Sequence, residues 1–223
     1  MIKYQAGILA DPVPPLARHL FFTLESKEHL AAALRRLALM VDGDATVIGF
    51  GKSLLQALNV QLDKLRVFPA MSTEGIDIPS TQHALWCWLR GDDRGELLHR
   101  TDALIAALAP ALKVVQITES FRHKTGHDLT GYEDGTENPV DQAAVDAAID
   151  SEGLGGSYAA IQHWVHDLKS FKALPQEEQD HIFGRRLSDN EEIDDAPESA
   201  HVKRTAMEDF EPAAFVVRRS MPY

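Results

Sequence analysis

The sequence predicts an α+β fold, and three observations carry that expectation. Through the first half, short apolar runs alternate with amphipathic helical stretches. Counting only the long helices, their order is βαββαβ, the ferredoxin-like pattern with an antiparallel sheet. The second half opens in the same way, with a strand-like stretch at 157–165, a helical one at 176–183 and another strand-like one at 213–218. Composition agrees, since 44% hydrophobic and 25% charged residues are ordinary for a globular protein.

The elements follow in order. Pro12, Pro14 and Pro15 mark the approach to a buried strand at 18–24 (Arg-His-Leu-Phe-Phe-Thr-Leu). Ser26 is placed to cap a helix, with Glu28 favourable in its first turn. Leu30, Ala33, Leu34, Leu37 and Val41 fall on one helical face, and Asp42-Gly43 ends the helix. A strand at 45–50, a short helix at 53–58 and a loop rich in Pro and Gly come next. The strand at 83–89 precedes an amphipathic helix carrying Leu97, Leu98, Leu104, Ile105 and Leu108, and the strand at 113–118 closes the half. The expected boundary divides the chain into residues 1–120 and 121–223. Soon after the stretch at 213–218 the sequence stops, at Tyr223, whereas a second βαββαβ would need a further strand, helix and strand. The second half is therefore expected to be incomplete, leaving a sheet edge open to aggregation.

Bulk properties exclude several functions. A formal net charge of −12 disfavours nucleic acid, which needs clustered Lys and Arg, and gives no attraction to anionic lipid. The single cysteine, Cys87, rules out an internal disulfide and a multi-cysteine zinc site. No run is long and apolar enough to span a membrane, and the first residues lack a secretory signal, so the expected location is cytoplasmic. Gly153-Leu154-Gly155-Gly156 resembles a dinucleotide loop only faintly, because a strand-like rather than a helical stretch follows it. The acidic run from Asp189 to Asp195 lacks the central glycine of a calcium loop and reads as a solvated connector.

One string stands apart: Gly131-Tyr132-Glu133-Asp134-Gly135-Thr136-Glu137-Asn138-Pro139. Its glycines suit a loop shaped around a ligand, and an acid held on such a loop is placed for chemistry rather than packing. An isolated Asp-Gly reads as a solvated hairpin turn. This string, however, resembles the GxxDG motif of dye-decolourising (DyP-type) haem peroxidases, and it has companions in that family's order. They are Gln5-Ala6-Gly7-Ile8, Gly155-Gly156-Ser157-Tyr158, Ile182-Phe183-Gly184-Arg185, Glu198-Ser199-Ala200-His201 and Val217-Arg218-Arg219-Ser220-Met221-Pro222-Tyr223.

The resemblance implies two ferredoxin-like halves, the second cut short here, and haem b as cofactor. It singles out His201, among ten histidines, as the axial ligand to iron. It gives Asp134 the task of moving a proton between the two peroxide oxygens, and Arg218 that of supplying a fixed positive charge. Arg219 is adjacent, and successive strand residues face opposite sides, so only one of the pair can point at the iron. The resemblance favours Arg218. It further implies that Ser220 adds a hydrogen bond to peroxide, that Arg185 pairs with a haem propionate, and that Asn138 and the Gly135-Thr136 backbone line the haem edge.

The expected function is peroxidase: reduction of hydrogen peroxide with oxidation of organic donors such as dyes or porphyrins. Surface Trp86, Trp88, Trp164, Tyr132 and Tyr158 are candidates to relay electrons from donors too large for the pocket. The resemblance also implies homo-oligomers. A haem or porphyrin binder without turnover stays open as a second reading, and a non-functional fragment as a third. Haem binding without peroxide-dependent donor oxidation separates the first two.

Overall fold

The computed structural model describes residues 4–73, 75–150, 155–211 and 213–223. Gly153 and Leu154 of the faint dinucleotide-like loop lie outside them. The chain divides into two compact units. One holds the chain up to Phe121 with Asp150–Ala160 and Tyr223; the other holds Arg122–Ile149 and Ile161–Pro222.

In the first unit β1 (Leu16–Leu24) leads through α1 (Leu30–Ala38) to β2 (Thr46–Phe50) and α2 (Lys52–Ala57). The Pro- and Gly-rich loop carries a small hairpin, β3 (Met71–Thr73) and β4 (Ile76–Ile78), that its composition did not signal. Then come β5 (Leu85–Gly91), α3 (Arg94–Leu108) and β6 (Leu112–Phe121). The four long strands form an antiparallel sheet in the order β2-β5-β1-β6, which is the ferredoxin-like arrangement. The expected cap moves: α1 begins after His29, not after Ser26, and no side chain caps it. Asp93 does cap α3, accepting the Glu96 backbone N–H at 2.8 Å.

Strand periodicity decides where the core lies. Leu20 and Phe22 of β1 and Leu85, Cys87 and Leu89 of β5 point to one face, where Leu30, Ala33 and Leu37 of α1 and Leu97, Leu104 and Leu108 of α3 cover them. Burial pushes the Cys87 thiol up to about 12, so it behaves as a small core hydrophobe. On the opposite face His19 stacks against Trp86 and Trp88, with ring centroids 6.0 and 5.9 Å away. Arg36 ties α1 to the end of α3, donating to the carbonyls of Ala107 (2.7 Å) and Ala109 (3.0 Å). These carbonyls are among those a helix end leaves without an intrahelical partner.

The second unit is built differently. Its elements are α4 (Asp141–Ala148), α5 (Leu168–Lys172), α6 (Gln176–Phe183) and α7 (His201–Thr205). The helix expected at 176–183 is present, but the strands expected at 157–165 and 213–218 are not. Their β-favouring side chains meet no neighbouring strand, and a strand without a ladder is only extended chain. The α+β class stands, with its regular antiparallel sheets confined, among the described residues, to the first unit.

The interior of the second unit is aromatic. Tyr132, 3% exposed, lies flat on Phe183 with centroids 3.9 Å apart, and Phe171 meets both rings edge-on. The Tyr132 hydroxyl donates to Asp180 Oδ1 and accepts from Gln176 Nε2 at 3.1 Å. Asp180 also accepts from Gln176 (2.7 Å) and from the Leu187 N–H (3.1 Å). Burial alone would raise the Asp180 pKa, but these bonds together hold it below the usual carboxylate range.

Two stability measurements check this account. Replacing Phe22 with Ala is expected to cost about 3–5 kcal/mol in urea unfolding of the first unit, the range for emptying a closed aromatic site. Tyr132→Phe is expected to cost about 1–3 kcal/mol in the second unit and to raise the Asp180 pKa, because it removes a donor from a bonded carboxylate.

Candidate functional site

The glycine-rich string closes a tight hairpin. His127 bridges both His123 and Glu133, the Asp128 N–H donates to the Tyr132 carbonyl (3.0 Å), and the Asp134 N–H donates to the Gly126 carbonyl (3.1 Å). Asp128 holds the turn by accepting the Thr130 N–H at 2.6 Å and the Thr130 hydroxyl. Gly135 follows Asp134 with φ +76°, and a Cβ there would stand 2.7 Å from Asn138 Nδ2. Backbone shape and close packing both require glycine at that point.

His201 opens α7, and the end of α6 delivers it. Gly184 closes α6 in the left-handed region (φ +80°), where a Cβ would lie 2.4 Å from Val202 Cγ2 and 3.2 Å from the Ala200 Cβ. This close approach seats α7 against Phe183, whose ring centroid is 6.2 Å from the His201 ring. Thr205 turns its hydroxyl back to the His201 carbonyl at 2.8 Å.

Arg218 comes from the far end of the chain. Its guanidinium Nη2 donates to the Thr205 carbonyl at 2.8 Å, which brings it to the helix that carries His201. Its backbone is held by Asn138: the Arg218 N–H donates to Asn138 Oδ1 and Asn138 Nδ2 donates to the Arg218 carbonyl, both at 2.8 Å. Further along, the Ala214 N–H donates to the Met207 carbonyl (3.1 Å) and the Val216 N–H to the Met207 sulfur (3.2 Å).

The three groups feel one another. Burial raises the Asp134 pKa above the usual carboxylate range; the Gly135 N–H opposes that, the Asp128 charge adds to it, and His201 and Arg218 oppose it. Burial lowers the His201 pKa, Arg218 lowers it further, and Asp134 and Asp128 pull the other way. Both residues are nonetheless exposed, so solvent screens these effects in part. The result is a carboxyl biased toward its neutral form and an imidazole that is neutral at pH 7, free to offer a ring nitrogen to a metal.

Other residues named from the sequence have different occupations. Arg185 donates to Glu137 Oε1 (2.5 Å), to Glu192 Oε2 (3.4 Å) and to the Asn190 carbonyl (2.9 Å). Two carboxylates flank this guanidinium in an ion-pair knot that straps the 184–193 loop to the glycine-rich string. Asn190 reinforces the strap through Glu133 (3.2 Å) and Thr136 (3.1 Å). Asn138 holds the backbone of Arg218. Ser220 is exposed. Among the relay candidates Tyr132 and Trp88 are buried, contrary to a surface role, while Trp164 and Tyr158 are about half exposed. Asp128 and Thr205 were not singled out from the sequence; the Asp-x-Thr turn pattern was the one available signal for the first.

These features define an α+β protein with one ferredoxin-like unit and, in its second unit, a site of Asp134, His201 and Arg218. Residues 125–223 match the family model described as "Dyp-type peroxidase, C-terminal". The chain is 29% identical over 190 residues to a dye-decolorizing peroxidase of Rhodococcus erythropolis, covering 81% of this chain and 56% of that protein. It is 32% identical over 152 residues to one from Brevibacterium linens, covering 65% and 41%. A solved structure of a Shewanella oneidensis protein described as a putative dyp-type peroxidase superposes with TM-score 0.80 at 26% identity, over 92% of this chain and 72% of that one. The chain is thus similar to DyP-type peroxidases, and its residues 125–223 match the C-terminal model of that family. It spans about half the length of the curated relatives it matches.

The Asp134 electrostatics carry a testable sign. A carboxyl whose folded pKa lies above its unfolded value of 3.8 binds more protons when folded, so its contribution falls as pH rises through the raised value. Asp134→Asn is therefore expected to be more stable than the parent at pH 7, in urea unfolding of the haem-free protein. The difference should shrink as pH is lowered toward the unfolded value.

Proposed function

We propose that this chain binds haem b and acts as a peroxidase, reducing hydrogen peroxide and oxidising organic donors, as a self-associating cytoplasmic protein. The observation that carries the reading is the convergence of Asp134, His201 and Arg218, drawn from three separate segments into one mutually coupled group. A Rhodococcus jostii DypB variant, similar in fold at TM-score 0.74 and 24% identity, is described in complex with heme. Among the described residues no helix is long and apolar enough to cross a membrane.

The donor set suits the group. A neutral imidazole is the usual axial ligand of a peroxidase haem, and the lowered pKa keeps His201 in that form. When bound, haem supplies an iron centre that accepts peroxide oxygen and exchanges electrons with donors. His201 would hold the iron through a ring nitrogen. Asp134 is placed to take a proton from one peroxide oxygen at its carboxylate and to hand it to the other. Its raised pKa brings carboxylate and carboxylic acid closer in energy, which suits a group that must be base and then acid. Arg218 keeps its charge across the working pH range and stabilises the negative charge that develops as the proton moves.

The test is an absorption spectrum of the haem-supplied chain beside His201→Ala, followed by peroxide kinetics. A Soret band is expected in the parent and should be lost or shifted in the variant. Asp134→Asn and Arg218→Leu are each expected to lower kcat/KM for hydrogen peroxide by about 10²–10³-fold. Absence of a band in the parent, or full turnover in both variants, would sink the reading.

A further inference from the structure

The tandem Arg218-Arg219 poses a question of selection: two guanidiniums are adjacent, and one is needed. Strand alternation was expected to choose between them, but the segment at 213–218 is not a strand. Something else must set which residue faces the site.

We infer that Asn138 is a positioning residue, whose side-chain amide stands in for the missing neighbouring strand and makes Arg218, rather than Arg219, the cation of the site. The inference rests on the peroxidase reading for its kinetic arm alone. Its basis is geometric. A strand residue in a ladder exchanges two bonds with one partner residue, its N–H donated and its carbonyl accepting. Asn138 reproduces that exchange with a carboxamide, which carries an acceptor and a donor on one planar group. Both bonds are 2.8 Å long and link residues 80 positions apart. Because the N–H and carbonyl of the same residue are engaged, rotation about the chain axis is blocked at Arg218. Its side chain then leaves toward Thr205, whose carbonyl accepts Nη2 at 2.8 Å. Arg219 turns back instead, donating from Nη1 to the Arg218 carbonyl at 2.9 Å.

The amide itself is fixed from behind. The Asn138 N–H donates to the Gly135 carbonyl at 3.0 Å, and the space that a Cβ at Gly135 would fill is occupied by Asn138 Nδ2. The turn that presents Asp134 thus also aims the clamp on Arg218. One short loop sets the position of both the proton-carrying group and the charged group.

The experiment has two arms, on Asn138→Ala and Asn138→Asp. The first is amide hydrogen exchange of the haem-free protein, read at the Arg218 N–H. Asn138→Ala is expected to lower protection there by about tenfold, as for one lost hydrogen bond, and Asn138→Asp, which keeps the acceptor Oδ1, is expected to preserve most of it. Unchanged protection in Asn138→Ala overturns the clamp, whatever the enzyme does. The second arm is a double-mutant cycle on kcat/KM for hydrogen peroxide with haem supplied. In the parent background Arg218→Leu is expected to cost far more than Arg219→Leu. In the Asn138→Ala background the two losses should converge, with Asn138→Ala alone lowering kcat/KM by about 10–10²-fold. Independent, additive effects of Asn138 and Arg218 overturn the selection of Arg218. A parent without peroxide turnover refutes the peroxidase reading instead, and hydrogen exchange still decides whether the clamp exists.

Discussion

Every backbone N–H and carbonyl that leaves water must find a partner, and in the second unit part of that constraint falls on side chains. The first unit meets it with a four-stranded ladder. The second has helices and extended segments, so Asn138, Met207 and Asp128 do locally what a neighbouring strand would do along its length. The candidate site sits where these substitutions are densest. Its geometry depends on a few directional bonds rather than on a continuous sheet.

The first unit was largely legible in the sequence because its signals are periodic. Leu30, Ala33 and Leu37 repeat at helical spacing, and Leu85, Cys87 and Leu89 alternate as a half-buried strand should. The second unit shows where such reading stops. The stretch at 213–218 has strand-like side chains, yet strand formation depends on a partner elsewhere in the chain, which local composition does not encode. The same applies to Arg185. Its partners Glu137 and Glu192 are 48 and 7 residues away, and nothing in the Gly184-Arg185 neighbourhood announces them. Asp134, His201 and Arg218 were singled out through the family motifs and not through periodicity, since the contacts that bring them together are distant in sequence.

The electrostatics of the site arise from placement rather than from unusual residues. Two carboxylates, Asp128 and Asp134, stand near one imidazole and one guanidinium; burial raises the pKa of Asp134, with His201 and Arg218 opposing, and lowers that of His201, with Asp134 and Asp128 opposing. Removal of any one charge would shift the others. The Arg185 knot keeps two further carboxylates, Glu137 and Glu192, engaged with a guanidinium of their own. That arrangement leaves the Arg218 guanidinium beside Asp134 and His201 in a chain whose formal charge is −12.

The distribution of indoles has an optical consequence. Trp86 and Trp88 stack with His19 on the sheet of the first unit, whereas Trp164, about half exposed, belongs to the second. The chain has three tryptophans, so its intrinsic emission divides cleanly between the two units. Emission from the stacked pair follows the integrity of the ladder, and emission from Trp164 follows the segment leading into α5. With Trp164 replaced by Phe, fluorescence becomes a reporter of the first unit alone. Subtraction from the parent signal then isolates the unit in which the candidate site resides.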